Sequence, residues 1–248
     1  MTYPEFVAAK LRIKDHDALY PAMLDAKATL KVRQQMAFGS VLWDHAGVSA
    51  KVAHESTKVG FWEASRLAVA EKARGGARAR FRGQKAVQAL HGMEALYPEL
   101  GKLFKRLNGH YNDLEPIIRE LPLMGGWAAF KLCDMAERTC GSKISFEGVT
   151  LAQISPHAAH GADAAAAHMG ITTEQLMDKL YQLSGLGRWP TLAPPLFDRP
   201  LNIQEFETMF CNYSTAKWHD PGFETKVLHK ELDGWGPIAA RFKKELPQ

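Results

Sequence analysis

Apolar residues recur every three or four positions along most of the chain, and this period predicts α-helices. It runs through residues 17–47, 57–74, 98–109, 127–141, 172–187, 202–219 and 234–246. Strand signals are few, because only residues 143–156 contain a short extended pattern and no alternating series follows it. We therefore predict an all-α fold.

Residues 187–200 are rich in proline but do not have the composition of a flexible linker. They also carry four large apolar side chains, Trp189, Leu192, Leu196 and Phe197. A flexible linker is dominated by small or polar residues. We therefore predict an ordered loop in this part of the chain.

Residues 113–141 have the outline of two helices joined by a tight hairpin. Asp113 is the predicted N-cap of the first helix. Pro122 then enforces a turn, and Gly125 and Gly126 allow positive φ angles. The backbone N–H groups that open the second helix would point outward, where such groups bind phosphate oxygens well. The alternative is a plain turn between two helices.

Three charged residues follow this bend. Lys131, Asp134 and Arg138 are spaced by three and four positions, so all three can lie on one face of the predicted helix. Burial of a row of cation, acid and cation on an apolar helix is energetically costly. Burial of these three residues would therefore indicate a functional role. The alternative is a surface ion-pair ladder, which contributes little to stability.

The length and composition fit one soluble domain over residues 1–248. The chain has 248 residues, of which 46% are hydrophobic, and this is enough to bury a core. No run approaches the roughly 18 apolar residues of a membrane span. The N-terminus lacks the apolar centre of a signal peptide. The three cysteines have no paired spacing, which indicates reduced thiols in the cytoplasm.

The charge is concentrated rather than large. The net charge is only +4, but residues 72–85 contain six basic residues and no acid. A second basic cluster consists of Lys102, Lys105 and Arg106. Local clusters of this kind favour an anionic partner. The alternative is a solvated helix face or a mobile loop.

Four residues in and around the Ala-rich region have a spacing that suits a divalent metal. They are His157, His160, Asp163 and His168. No glutamate accompanies the histidine pair, and Pro156 and Gly161 argue against a rigid helix there. We therefore predict surface histidines and no metal site. The sequence predicts no cofactor either.

The hairpin followed by an acid resembles the helix-hairpin-helix DNA glycosylases. In that superfamily a glycine occupies the position at which Leu123 stands here. Bifunctional members carry a lysine inside the turn, roughly where this chain has Trp127. Base excision through a lysine Schiff base is therefore disfavoured.

A closer resemblance is to a phage family, the α-glutamyl/putrescinyl-thymine pyrophosphorylases, also called amino acid:DNA transferases. It rests on GGWAAFKLCDMAER at residues 125–138 and NIQEFETMFCNYSTAKW at residues 202–218, with FWEASR as weaker support. It spans roughly Val41 to His229. The resemblance implies a helix-hairpin-helix DNA-glycosylase-like helical fold, and it leaves open two lobes with a DNA cleft between them.

Members of this family are inferred to act on DNA whose thymines are replaced by 5-hydroxymethyluracil that carries a diphosphate. They displace the diphosphate with the amine of an amino acid or a polyamine. The resemblance therefore implies two partners, namely double-stranded DNA with diphosphorylated hydroxymethyluracil and a small amine such as glycine, glutamate or putrescine. No membrane is involved, and the expected location is the cytoplasm of the infected bacterial host.

This chemistry assigns roles to the candidate residues. Asp134 or Glu207 would be the general base, Lys131 would neutralise the leaving diphosphate, and Cys211 would be a nucleophile. Substrate contacts are expected from Trp43, Asp44, His45, Trp62, Arg66, Trp127, Arg138, Asn212, Tyr213 and Lys217. Contacts with DNA are expected from Arg74, Arg78, Arg80, Arg82, Lys85, Gly125 and Gly126.

A covalent route is one way to use these residues. Glu207 and Cys211 are one helical turn apart and share a face. A thiolate of Cys211 or Cys133 would add to C6 of the pyrimidine and expel the diphosphate. The alternative is that both cysteines are small buried hydrophobic residues. Asp44 and His45 are likewise either an acid–base pair or a helix cap.

Two other functions compete with the transferase. A repair-type DNA glycosylase would release a free base and leave an abasic site. A helical DNA-binding protein without enzymatic activity would turn over no base at all. The sequence does not distinguish among glycine, glutamate and putrescine as the transferred amine.

Overall fold

The structure, a computed structural model, describes residues 1–71, 81–214 and 220–248. Its helices are α1 (Tyr3–Arg12), α2 (Leu19–Asp25), α3 (Leu30–Trp43), α4 (Ala46–Val59), α5 (Phe61–Ala70), α6 (Gly83–Leu96), α7 (Leu100–Arg106), α8 (Tyr111–Arg119), α9 (Gly126–Cys140), α10 (Leu151–Ile154), α11 (Pro156–His168), α12 (Thr173–Gly185), α13 (Ile203–Ser214), α14 (Phe223–Glu231) and α15 (Pro237–Glu245). The prediction of a mostly helical protein is confirmed.

One short sheet accompanies these helices in the described ranges. Strand β1 (Gly109–His110) pairs in parallel with β2 (Ile144–Ser145). The second strand lies inside residues 143–156, where the sequence predicted a short extended segment. With only two residues in each strand, the sheet leaves the all-α description unchanged.

The chain divides into two compact units, and each has its own core. The first comprises Met1–Pro21, Phe146–Val227 and Pro247–Gln248, and the second comprises Ala22–Ser145 and Leu228–Leu246. No helix within the described ranges is long and apolar enough to cross a lipid bilayer.

The first unit is built on the crossing of α11 and α13, the two most extensively packed elements. Gly161 lies at their closest approach, because a Cβ atom at this position would overlap the carbonyl oxygen of Phe210. Pro156 and Gly161, which argued against a rigid helix in the sequence, both lie within α11. Pro156 occupies the first position of α11, where proline is tolerated, and Ser155 caps the helix.

The second unit packs α3 against α4 and α9, and α8 against α9. The ring of Phe38 in α3 contacts the edges of Phe61 and Trp62 in α5, with centroids 5.8 Å and 5.6 Å away. The sequence predicted one continuous helix over residues 57–74. The structure breaks it at Gly60, whose φ of +84° ends α4 and opens α5.

The prediction that Asp113 caps the first helix of the hairpin is wrong. Helix α8 begins at Tyr111 and is capped by His110, whose Nδ1 accepts a hydrogen bond from Asn112 N at 3.2 Å, so Asp113 lies inside the first turn. Neither Gly125 nor Gly126 has a positive φ. The left-handed residue is Leu123, with φ +64°. The left-handed backbone conformation therefore lies two residues before Gly125.

Candidate active site

The bend between α8 and α9 is a compact, ordered hairpin. Leu121 and Met124 are buried on its inner side, and Met124 N donates to Leu121 O at 3.1 Å. Leu123 points outward and is 41% exposed. Gly125 is the N-cap of α9 and offers no side-chain acceptor to the first amides of that helix. Such amides are suited to an anion.

Asp134 and Arg138 lie on the buried side of α9. Their residues are only 2% and 1% exposed. Lys131 Nζ is 3.1 Å from Asp134 Oδ2, and Arg138 Nη1 is 3.2 Å from Glu137 Oε1. The charges are therefore held away from bulk water, where ion pairs carry a high desolvation cost. This burial does not fit the surface ion-pair ladder that was the alternative.

Cys133 has the environment of an unreactive thiol. Its side chain is fully buried on α9. Burial raises the pKa of the Cys133 thiol, and the nearby carboxylates of Asp134 and Glu115 raise it further. A thiolate nucleophile requires the opposite surroundings. Cys133 therefore matches the small buried hydrophobic residue that was the alternative.

Cys211 differs, because it is only half-buried and faces a carboxylate. Its Sγ donates a hydrogen bond to Glu207 Oε1 at 3.2 Å. Ser155 Oγ lies 3.9 Å from the same sulfur. Glu207 itself is 2% exposed. A thiol held against a buried carboxylate has the arrangement of a nucleophile and its base.

Tyr3 lies near this thiol and packs against Tyr213. The ring of Tyr3 stacks on Phe210 at 4.3 Å and meets the edge of Tyr213 at 5.4 Å. Burial raises the pKa of Tyr3, and the charges of Cys211 and Glu207 add to the rise. Burial also raises the pKa of Tyr213. Both phenols therefore remain neutral at neutral pH.

Sequence reasoning did not find Ser155 or Tyr3. Both lie far from Cys211 along the chain and reach it only through tertiary packing. A serine followed by a proline, as at Ser155 and Pro156, indicates the start of a helix. It does not indicate a contact with α13. No local pattern marks Tyr3.

The tryptophans expected at the substrate are part of the core. Trp43 is 3% exposed and meets Phe81 edge-on at 5.1 Å. Trp62 is 4% exposed, and its Nε1 donates to the carbonyl oxygen of Tyr97 at 2.9 Å. Both rings have the packing of structural residues in the second unit. Trp127 is half-buried at the start of α9.

Asp44 and His45 stand at a junction of two helices. Asp44 ends α3 with a left-handed backbone, and its N–H donates to Ser40 O at 2.9 Å. His45 opens α4, and its Nδ1 accepts a hydrogen bond from Val48 N at 3.3 Å. Burial lowers the pKa of His45, although Asp44 opposes this. These contacts agree with the capping alternative.

The remaining predicted residues fall into three groups. Arg66 is paired with Glu63 and Glu94 within the second unit, and Asn212 is half-buried on α13. Arg82 and Lys85 are exposed at the start of α6. The predicted residues Arg74, Arg78, Arg80 and Lys217 lie outside the described part of the chain.

The structure thus brings together two sets of candidate residues, one in each unit. Lys131, Asp134 and Arg138 share α9 in the second unit. Glu207, Cys211, Asn212 and Tyr213 share α13 in the first unit. Among the described residues, no group of three or more histidine, cysteine or acidic side chains has the geometry to hold a metal ion.

A helical protein with a carboxylate–thiol pair and a buried acid beside a lysine is compatible with group-transfer chemistry. Comparison with known proteins places this chain more narrowly. It is 27% identical to a putrescinyltransferase of Delftia phage PhiW-14 over 249 aligned positions, which cover 94% of this chain and 77% of that protein. It is 26% identical to a glycinyltransferase of Pseudomonas phage PaMx11 over 180 positions, which cover 64% of this chain and 62% of that protein.

These matches confirm the resemblance of the chain to the phage amino acid and polyamine:DNA transferases. The chain spans about three fifths of the length of the glycinyltransferase. No protein-family model matches it. The relation to the helix-hairpin-helix DNA glycosylases stays a prediction.

Proposed function

We propose that this chain is a phage transferase that attaches an amine to modified thymine in DNA, in the cytoplasm of the infected bacterial host. The observation that carries the proposal is the match to two phage proteins named for putrescinyl and glycinyl transfer, one of them across 94% of the chain. Both names describe transferases, which supports a transferase activity here. The substrate would be double-stranded DNA that contains 5-diphosphomethyluracil, and the amine would be an amino acid or a polyamine.

The reaction exchanges one bond for another at the 5-methylene carbon. The C–O bond to the diphosphate breaks, and the diphosphate leaves with the electron pair. A C–N bond to the amine forms, and the amine loses one proton. The enzyme must therefore supply a base for the amine and positive charge for the leaving group.

The hydrogen bond between Cys211 and Glu207 supports a covalent route. Glu207 would accept the thiol proton, and the thiolate would add to C6 of the pyrimidine. The resulting enolate would reform its carbonyl and expel diphosphate, which leaves an exocyclic C5=CH2 group. The amine would add to this methylene, and elimination of the thiolate from C6 would restore the ring and the free cysteine. Splitting one displacement into two additions and two eliminations is the usual benefit of such a nucleophile.

The residues of α9 would serve the diphosphate and the amine. Lys131 and Arg138 are cations of the kind that stabilise a leaving diphosphate. We assign deprotonation of the amine to Asp134, which is buried beside Lys131.

DNA contacts are proposed on the surface of the second unit. Arg82 and Lys85 are exposed at the start of α6. The hairpin adds the outward-facing Leu123 and the amides that follow Gly125. Exposed cations bind the phosphate backbone without regard to sequence, and their contribution falls as salt concentration rises.

The direct test is incubation of the protein with duplex DNA that contains 5-diphosphomethyluracil and a pool of glycine, glutamate and putrescine. Three products are measured in the same reaction: free diphosphate, modified nucleosides by mass spectrometry, and abasic sites by an aldehyde-reactive probe. The matched substrate contains 5-hydroxymethyluracil without diphosphate and controls for the leaving group.

The three candidate functions predict different results. A transferase releases diphosphate and forms one amine adduct for each diphosphate, and only with the activated substrate. A glycosylase gives abasic sites and free base with no adduct. A binding protein shifts the DNA in a gel and yields none of the three products, and Asp134→Asn leaves its binding unchanged. Either of the last two results contradicts the proposal.

A further inference from the structure

Ser155 lies where the N-terminus of α11 meets α13 in the first unit. Its Oγ accepts a hydrogen bond from Ala158 N at 3.3 Å and lies 3.9 Å from Cys211 Sγ. The first of these contacts is a side-chain cap, which satisfies one amide in the opening turn of α11. Ser155 is 3% exposed, so its hydroxyl is shielded from water. One buried hydroxyl therefore contacts both the start of a helix and the thiol.

The hydrogen bonds around this hydroxyl all have the same direction. A hydroxyl has one proton and two lone pairs, and a thiol has one proton. Cys211 donates its proton to Glu207 Oε1 at 3.2 Å, so its sulfur accepts at the contact with Ser155. One lone pair of Ser155 Oγ is used by Ala158 N, and the O–H proton is left for the sulfur. The chain of donors runs from Ala158 N through Ser155 Oγ and Cys211 Sγ to Glu207 Oε1.

This chain favours negative charge on the sulfur. When Glu207 takes the thiol proton, the O–H of Ser155 already points at the atom that becomes charged. Hydrogen bonds to a charged acceptor are roughly twice as strong as those between neutral groups. Bonds in a chain also polarise one another. The start of α11, a helix of 13 residues, adds the positive end of a helix dipole, and such surroundings stabilise a thiolate.

The close crossing of the two helices fixes the distance between Ser155 and Cys211. A Cβ atom at Gly161 of α11 would lie 2.1 Å from the carbonyl oxygen of Phe210, the residue that precedes Cys211. Backbones this close cannot move closer without overlap, and protein interiors are packed tightly enough to hold such contacts. The hydroxyl is therefore held beside the sulfur by the packing of the backbone.

We propose that Ser155 is a positioning residue that stabilises the thiolate of Cys211 by donating its hydroxyl proton to the sulfur. This inference rests on the proposed function, in which Cys211 is the nucleophile that adds to the pyrimidine. The S–H bond breaks, the proton goes to Glu207, and the electron pair stays on the sulfur. Ser155 keeps its own proton throughout, which distinguishes its role from that of the base.

The titratable groups around the thiol belong to three elements. Glu207 lies on α13 beside Cys211. Burial raises the pKa of Tyr3 in α1, and the nearby charges of Cys211 and Glu207 raise it further. The ionisable side chains of α11 are exposed to water, and they are His157, His160, Asp163 and His168. The pH at which the thiol reacts therefore depends mainly on Glu207, Tyr3 and the uncharged hydroxyl of Ser155.

Alkylation of the thiol tests the inference without any turnover. Iodoacetamide reacts with thiolates, and burial raises the pKa of both Cys133 and Cys140, so Cys211 is the thiol expected to react near neutral pH. Peptide mass spectrometry assigns the alkylated residue. The rate is measured against pH, and its midpoint is a property of the pair of Cys211 and Glu207. Absence of alkylation at Cys211 in the wild-type protein would overturn the inference.

Two variants of Ser155 separate the hydroxyl from the cap. Ser155→Gly removes the hydroxyl but keeps a residue that is accepted at an N-cap. We expect it to raise the alkylation midpoint by about one pH unit, which leaves roughly tenfold less thiolate near neutral pH. Ser155→Thr keeps both the hydroxyl and the cap and should retain the wild-type midpoint.

Thr172→Gly is the matched control. Thr172 caps α12, which also has 13 residues and lies in the same unit, and its Oγ1 accepts a hydrogen bond from Gln175 N at 3.2 Å. Thr172→Gly should have the wild-type midpoint. The inference is overturned if Ser155→Gly has the wild-type midpoint, or if Ser155→Thr or Thr172→Gly shifts it as far as Ser155→Gly does. Thermal unfolding of each variant confirms that the fold is retained.

Transfer assays across a range of pH give the second readout. Near neutral pH, Ser155→Gly should transfer amine about tenfold more slowly than the wild-type protein, in proportion to its smaller fraction of thiolate. The difference should shrink as the pH rises, because the thiolate then forms without help. A loss of equal size at every pH would indicate a structural defect and would overturn the inference.

Failure of this inference and failure of the proposed function are distinguishable. If the protein transfers no amine, yet Ser155→Gly raises the alkylation midpoint and Ser155→Thr does not, the transferase proposal fails and the role of Ser155 toward the thiol stands. If the protein transfers amine while the midpoint is the same in all variants, the inference fails and the transferase proposal stands.

Discussion

Cys211 Sγ and Glu207 Oε1 are 3.2 Å apart on one face of α13, joined by a hydrogen bond in which the thiol donates. The carboxylate is buried and the thiol is half-buried, so the thiol can meet a ligand while its base remains shielded from water. This pair is the basis of the covalent route.

Removing either partner has a distinct consequence. Cys211→Ser is expected to abolish the covalent intermediate and to lower transfer by at least about 100-fold, because a hydroxyl is a far weaker nucleophile than a thiolate. Glu207→Gln is expected to lower the rate by about 100-fold through loss of the base. Single-turnover release of diphosphate measures both effects.

Cys140→Ser is the control for these variants. Burial raises the pKa of Cys140 to about 11, so its thiol is unreactive at neutral pH. Full activity in Cys140→Ser is expected. Full activity in Cys211→Ser would eliminate the covalent route and leave direct displacement by the amine.

Variants of Lys131 and Asp134 test whether this ion pair has a catalytic or a structural role. Asp134→Asn leaves Lys131 without its buried partner and is expected to reduce the free energy of unfolding by about 3 kcal/mol. The double variant Lys131→Met with Asp134→Asn removes both charges and should regain most of that loss. Urea titration measures the stability of each protein.

Activity then decides the role of the pair. If Asp134 deprotonates the amine and Lys131 stabilises the diphosphate, the double variant is stable but transfers amine at least about 100-fold more slowly. A stable double variant with wild-type activity would show that Lys131 and Asp134 support the fold and not the chemistry.

Gly161 permits the close crossing of α11 and α13. Gly161→Ala places a methyl group against the carbonyl of Phe210 and is expected to cost about 3 kcal/mol. Gly185→Ala is the matched control, because Gly185 lies in a helix of the same unit but a methyl group there would meet no atom within 4 Å. It is expected to be neutral or slightly stabilising. Thermal unfolding compares the two, and equal effects would contradict the close packing.

Leu123 carries the left-handed backbone of the hairpin. A side chain at such a position costs roughly 1 kcal/mol, which glycine does not. Leu123→Gly is therefore expected to raise the free energy of unfolding by up to about 1 kcal/mol, even though it removes an exposed apolar residue. The free energy of unfolding of Leu123→Gly is measured by chemical denaturation. A value below that of the wild-type protein would mean that Leu123 packs more tightly than its exposure indicates.

The hydrogen bond by which His45 caps α4 predicts that the stability of the protein depends on pH. Its folded-state pKa is lowered by burial, and its Nδ1 must stay unprotonated to accept the hydrogen bond from Val48. The unfolded histidine binds a proton near pH 6.5, so its contribution is present above that pH and is lost as the pH falls toward the folded-state pKa. His45→Asn keeps a capping residue but cannot titrate.

Unfolding in urea at about pH 5.5 and about pH 7.5, on either side of the ordinary histidine pKa, tests this difference. The wild-type protein should lose more stability between the two conditions than His45→Asn. An identical loss in both proteins would show that the His45 ring does not cap α4 in solution.

The helices could be predicted from the sequence because a buried stripe repeats with the helical period. The same reasoning placed Glu207 and Cys211 on one face, since residues four apart on a helix are neighbours. The break at Gly60 was missed because the apolar period continues across it. Gly125 and Gly126 allow a left-handed backbone, but the residue that adopts it is Leu123, between the buried side chains of Leu121 and Met124.

Contacts between distant segments could not be predicted in this way. Ser155 reaches Cys211 across 56 positions of the chain, and Tyr3 reaches Phe206 across 203. Trp43 and Trp62 looked like substrate residues because large aromatic rings suit both a core and a base. Only the fold shows that Trp43 packs against the ring of Phe81 and that Trp62 donates a hydrogen bond to the carbonyl oxygen of Tyr97.

The most direct test of the transferase account uses putrescine or glycine labelled with 15N. After incubation with duplex DNA that contains 5-diphosphomethyluracil, the DNA is digested to nucleosides and analysed by mass spectrometry. The account predicts a thymidine derivative that carries the label at its 5-methylene, in an amount equal to the diphosphate released. Release of diphosphate with only 5-hydroxymethyl-2′-deoxyuridine recovered, or no release with any amine, would contradict it.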